Sequence, residues 1–253
     1  MGKRHEAIGI KQVVRLEWYD FVLDLLQEGK EAKVIREELD SFLTDQRQAG
    51  GYGERGQDTY IKAVTQLMKC WVSLDKELIN LRDSALEYSR RCPRDKRLAL
   101  HWAMTIAAYP FWYKVAEQVG RLLTLQQLTS QSQIRRRCFE VFGERTTVER
   151  SARRVVRSLV AWGVLKDSES KGCYEKSDPL MILDHDMVFL LIEAALHAMP
   201  EGKAVLGLLI NTPAFFPFQF PVLAGDLVAQ RVPRIDVVRY GLDDELLRLK
   251  EEK

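Results

Sequence analysis

The stretch Thr146-Thr147-Val148-Glu149-Arg150-Ser151-Ala152-Arg153-Arg154-Val155-Val156-Arg157-Ser158-Leu159-Val160-Ala161-Trp162-Gly163-Val164-Leu165-Lys166 carries two patterns in succession. Val148, Ala152, Val155, Val156 and Leu159 recur at the helical period, which predicts a helix from Thr146 to about Trp162 with one apolar face. Arg150, Arg153, Arg154 and Arg157 fall together on the opposite side. Thr146 or Thr147 is placed to cap the start of this helix, and Gly163 to end it. Val164-Leu165-Lys166 then reads as a short strand, Asp167 to Gly172 as a polar turn, and Cys173-Tyr174-Glu175-Lys176 as the returning strand of a small hairpin.

Working outward toward the N-terminus, the spacing predicts one helix over Phe111 to Leu123 and a second over Ser130 to Phe142. Helix, helix, helix and hairpin in that order, over about residues 111–176, resemble a winged helix-turn-helix. The resemblance implies DNA binding. The third helix would enter the major groove, with Arg145, Thr147, Arg150, Arg153, Arg154 and Arg157 at phosphates or guanine edges. Lys171, at the tip of the hairpin, would touch the flanking backbone. Arg150, Arg154 and Arg157 lead that set, whereas the consecutive Arg135-Arg136-Arg137 must splay around a helix and leave at least one to brace the fold.

The placement of charge agrees with this reading. The whole chain of 253 residues holds 38 Lys+Arg against 36 Asp+Glu, a formal charge of +2 that argues for no partner. Between Leu128 and Lys176, however, eleven Lys and Arg face six acids, so this segment carries +5 and the remainder −3. A solvated arginine stripe in a protein-interaction module is the competing explanation.

Elsewhere the pattern is helical. Leu16, Tyr19, Val22, Leu23 and Leu26 predict one helix that Gly29 stops, and Val34, Ile35, Leu39, Phe42 and Leu43 a second. Gln46 to Asp58 reads as a glycine-rich loop, followed by helices around Tyr60–Trp71, Leu78–Leu86 and Leu98–Ile106, with Pro93 and Pro110 at helix ends. Past Pro179 come an apolar helix from about Asp184 to Met199 and a shorter one near Ala204 to Ile210. The tail reads as one strand, Arg234 to Tyr240, paired with the central hairpin or a neighbouring chain, and then a charged helix from about Asp243. The fold expected is mainly α: an N-terminal helical bundle (1–110), a central winged helix-turn-helix with a small β-hairpin (111–178) and a helical C-terminal region with one possible strand (179–253).

Other signals favour structural roles. Gly51-Tyr52-Gly53-Glu54-Arg55-Gly56 spells a dinucleotide-type motif, but it lacks the preceding strand and following βαβ unit that such a site needs. Asp184-His185-Asp186 cannot converge on one ion, because adjacent helical residues diverge by about 100°, so Asp184 or Asp186 reads as a helix cap. His101 and His197 lie on apolar helices and read as core residues. Cys70, Cys92, Cys138 and Cys173 are too dispersed for a zinc site or a disulfide framework, and reduced thiols are expected. Phe215 to Phe220 reads as a core plug, while the neighbours Trp18 and Tyr19 point apart and leave one for an interface. The run Ala204 to Gly225 is long enough to span a bilayer but is broken by Pro213, Pro217 and Pro221.

No catalytic set, cofactor motif or metal site is legible. The expectation is therefore a cytoplasmic, non-enzymatic protein without membrane or small-molecule partners, which binds double-stranded DNA and other subunits or a second copy of itself. Helical subunits of bacterial DNA-processing and phage-defence systems look broadly similar, which implies an accessory or scaffold subunit of a DNA-processing, defence or regulatory complex. A sequence-specific transcriptional regulator and a protein scaffold that does not touch DNA are the alternatives.

Overall fold

The structure is a computed structural model that describes residues 3–44, 57–240 and 244–250. Four helices open the chain: α1 (Lys3–Glu6), α2 (Leu16–Gln27), α3 (Ala32–Thr44) and α4 (Gln57–Trp71). Between α1 and α2 the backbone is irregular, and Ile10 and Val14 from this segment are fully buried. The glycine motif at 51–56 and most of the predicted loop lie outside the described residues, and α4 already includes Gln57 and Asp58. Trp18 and Tyr19 are both buried without exposure, so neither is left for an interface. Consecutive residues on α2 both reach the core because it is covered on more than one side.

Three helices follow, α5 (Ile79–Ser89), α6 (Arg97–Ala108) and α7 (Pro110–Leu125), of which α6 and α7 are the most buried. Every residue of α6 except Leu98 is buried, which is why its sequence is apolar all round. Pro110 separates it from α7: the proline forces Tyr109 out of helical geometry (φ −130°, ψ 84°) and then serves as the first residue of the next helix. Gly120 of α7 meets the 3₁₀ turn at Pro213–Phe215, where a Cβ would lie 1.9 Å from the Pro213 carbonyl oxygen. Only glycine permits that approach.

Next come β1 (Leu128–Ser130), α8 (Gln131–Phe142), α9 (Thr146–Ala161), β2 (Leu165–Asp167) and β3 (Cys173–Lys176). The strands form one antiparallel sheet with β3 in the middle, so the predicted hairpin gains a third strand, β1. Too short for any alternation, β1 escapes a periodicity reading. Ser130 starts α8 through a capping box with Gln133. Gly163 (φ 73°) ends α9 with the paired bonds of a Schellman turn, Gly163 N–H to Val160 O and Val164 N–H to Leu159 O.

The remainder comprises β4 (Leu180–Met181), α10 (His185–Ala198), β5 (Lys203–Val205), α11 (Leu206–Ile210), β6 (Phe218–Gln219), α12 (Gly225–Arg231), β7 (Ile235–Tyr240) and β8 (Asp244–Leu249). Apolar α10 packs along α6. Phe215, Phe216 and Phe218 are buried, as a core plug requires, and Phe216 and Phe218 meet Trp102 edge-on. The tail differs from the expectation in two ways. Asp244–Leu249 is a strand, and it supplies the partner of β7 from the same chain, with β5 on its other side. The sequence Asp-Glu-Leu-Leu-Arg-Leu is short enough to suit either period; burial of Leu247 and the cross-strand pair Asp236–Arg248 (3.1 Å) decide for the sheet. Likewise Lys203–Val205 joins this sheet, so the helix predicted from Ala204 begins at Leu206. One continuous apolar cluster runs through all these segments. Among the described residues no helix is long and apolar enough to cross a membrane.

Candidate nucleic-acid interface

The packing of α9 determines which of its arginines are available. Val148, Ala152, Val155, Val156 and Leu159 are all fully buried, as the apolar spacing predicts. The helix, however, has three sides. Ser151, Arg154, Ser158 and Trp162 form a second stripe that binds the irregular segment before α2. Ser151 Oγ and Arg154 Nη1 donate to the Ile10 carbonyl at 2.9 and 3.2 Å, the Val14 N–H donates to Ser158 Oγ at 3.0 Å, and Trp162 Nε1 donates to the Val14 carbonyl at 3.1 Å. Trp162 also packs against Tyr19, Trp102 and Trp112, with ring centroids 5.1–6.1 Å away. The helix is thus fixed to the main helical body as well as to its own sheet.

The third side faces solvent and holds Thr146, Arg150, Arg153 and Arg157. Arg150 and Arg153 are exposed and have no carboxylate within ion-pairing distance among the described residues. Arg157 is half-exposed and pairs with Asp167 of β2 at 2.5 Å. Arg154 is partly buried; burial, followed by the neighbouring Arg153 and Arg150 charges, pushes its guanidinium below the usual value. Arg145 and Thr147 are exposed at the start of the helix. Neither threonine caps it: Arg145 occupies the cap position without a side-chain cap bond and donates instead to the Phe142 carbonyl at 2.8 Å. The chain enters α9 directly from the short turn after Gly143, which carries the extended cap residue one position earlier than the threonines.

Around this side stand further cations. Arg135 bridges from α8 to Glu149 of α9 at 3.3 Å, and Arg136 and Arg137 share Glu140, so all three braces fall within the protein. Lys166, Lys171 and Lys176 of the β2–β3 hairpin are exposed, with Lys171 at a tip turned by Gly172 (φ 76°). The hairpin is tied to the first turn of α8 by the Gln131 N–H to Gly172 carbonyl bond and by the Tyr174 hydroxyl to Gln131 Oε1. Of the sequence-predicted contacts, Arg145, Thr147, Arg150, Arg153 and Lys171 are exposed, with Arg150 and Arg153 on one side of α9, while Arg154 and Arg157 are engaged within the chain. The serines at 151 and 158, seven apart on a helix rich in charge, were the readable sign of a second packed stripe.

The other candidates settle into structural roles. Asp184 caps α10 and accepts from the Tyr88 hydroxyl, while Arg91 binds Asp186. His101 is fully buried with Nε2 3.1 Å from Asp20. No group of metal-ligating side chains occurs among the described residues. A cavity of about 520 Å³ between α5, α10 and α12 is lined by Arg90, Arg91, Arg231 and Arg234, yet Glu87, Asp186 and Glu193 also line it, and Arg91–Asp186 and Arg234–Glu193 are paired, so little net charge is left. Cys70, Cys92, Cys138 and Cys173 are free thiols. Comparison with known protein families, characterised proteins and solved structures returns no match.

Proposed function

We propose that α7, α8, α9 and the three-stranded sheet form a winged helix that binds double-stranded DNA, and that the chain is an accessory or scaffold subunit of a DNA-processing, defence or regulatory complex. The observation carrying this reading is the exposed side of α9: among the described residues Arg150 and Arg153 stand without counter-ions, on the helix that leads into a hairpin bearing Lys166, Lys171 and Lys176. Guanidinium forks suit phosphate oxygens and the guanine O6/N7 edge alike. In this arrangement α9 lies in the major groove, Arg150 and Arg153 contact phosphate or base edges, and Lys171 reaches the adjoining backbone. Arg157, already paired with Asp167, sets the angle of the hairpin against the helix.

A handful of such contacts supports non-specific binding of roughly 10⁻⁴–10⁻⁶ M at physiological salt. That weakness favours a subunit tethered to DNA with partners over a lone regulator. Polarisation titration of the full chain with random duplex, against duplex enriched by selection, tests both points. Similar affinities for the two support the subunit reading; a large ratio supports a sequence-reading regulator, and no binding to either refutes DNA contact.

A further inference from the structure

The segment Ile10–Val14 is bonded to α9 along its Ser151–Trp162 stripe through four side chains. It runs in the same direction as the helix, in a crevice whose other wall is α4. Gln66 Oε1 there accepts from the Lys11 and Gln12 backbone N–H groups at 3.3 and 3.4 Å. Ile10 and Val14 turn inward and are buried, whereas Lys11 is exposed. The Ile10 carbonyl is the acceptor for both Ser151 and Arg154, so Lys11 is attached one residue from the turn of α9 that carries Arg150, Arg153 and Arg154. No carboxylate lies within ion-pairing distance of Lys11, Arg150 or Arg153 among the described residues, and Glu149 on the same turn is taken by Arg135. The Arg150 and Arg153 charges act on Arg154 within this turn, and a polyanion laid across such like charges relieves their repulsion.

We infer that the N-terminal segment is a wall of the DNA-binding face and that Lys11 contacts a backbone phosphate beside Arg150 and Arg153. The inference rests on the DNA-binding reading and extends it: the interface is closed by the β2–β3 hairpin on one side and by residues outside the helix-turn-helix on the other. Lys11 fits phosphate recognition because an ammonium on a flexible stem acts as a point charge and reads no base. Arg154 then has a positioning role, holding the Ile10 carbonyl and with it the base of the Lys11 side chain.

The test is polarisation titration of a labelled random-sequence duplex with the full chain over a salt series, using Lys11→Gln, Lys11→Arg and the double variant Arg150→Ala/Arg153→Ala. Lys11 is exposed, and unchanged thermal melting confirms that its variants fold. The expected result is a several-fold loss of affinity for Lys11→Gln, a salt slope shallower by about 1, and near-native binding for Lys11→Arg. If Lys11→Gln binds as the unaltered chain does while the arginine variant is weakened, the N-terminal wall is refuted and the DNA-binding reading stands. If the unaltered chain does not bind, both fall together.

Discussion

Several ionisable side chains of this chain are buried, and their surroundings determine how stability responds to mutation and pH. Glu193 is 1% exposed and is held by Arg234 through two bonds, Nε at 2.6 Å and Nη2 at 2.8 Å. Removing one partner of such a pair leaves a charge stranded in the core, so Arg234→Met should cost on the order of 3 kcal/mol in denaturant unfolding. His197, beside it, is pushed down to about 3 by burial first and then by the Arg4, Arg234 and His5 charges. His101 is lowered by burial, against the opposing pull of Asp20. Burial alone would raise Asp20, yet His101 and Arg97 hold its carboxyl below the usual value. The signs agree. Below the unfolded histidine value of about 6.5, the unfolded chain takes up protons that the native histidines refuse, so stability falls with pH from there. Asp20 adds to the loss at lower pH, as its native form also binds fewer protons than the unfolded one. Thermal melts should be flat between about pH 7 and 8 and drop steadily below about 6.5, with His197→Asn giving a shallower decline; above about pH 8.5 stability should fall again, because burial raises the Cys70 and Cys138 thiols to about 12 and the unfolded chain gives up protons that they keep.

At the scale of elements, α9 is held by contacts that differ in kind on each side. Its apolar face was legible because five residues share one helical stripe, and its ends were legible to within a residue or two. The stripe of Ser151, Arg154, Ser158 and Trp162 was not, because its partners at Ile10 and Val14 are more than a hundred residues away in sequence. Trp162 joins both systems, and Trp162→Ala should lower stability by about 3–5 kcal/mol, with loss of near-UV ellipticity from the surrounding aromatic rings. At α7 the controlling residue is a glycine. Gly120→Ala drives a methyl group into the Pro213 carbonyl, and a fall in melting midpoint corresponding to about 3 kcal/mol or more is expected. The tail shows the complementary limit of pattern reading. Ile235–Tyr240 alternates clearly, but Asp244–Leu249 takes its conformation from β5 and β7, partners that a local window does not contain.

Over the whole molecule, a single apolar cluster joins the N-terminal helices, the α8–α9 region and the C-terminal strands, while excess positive charge is concentrated in residues 128–176 of the chain. The mainly helical class and the concentration of arginine were both evident from periodicity and composition. The sequence could not show which guanidinium groups remain free. That depends on Asp167 reaching Arg157 and on Ile10 reaching Arg154, and it shifts the weight of the candidate site onto Arg150 and Arg153. The central claim is that these two groups contact phosphate or guanine edges of duplex DNA. Its most direct measurement is the slope of log affinity against log salt for duplex binding, compared between the full chain and Arg150→Ala/Arg153→Ala. Where both contact phosphate, the slope should become shallower by about 2, with a matching loss of affinity at low salt; an unchanged slope and affinity would contradict the assignment.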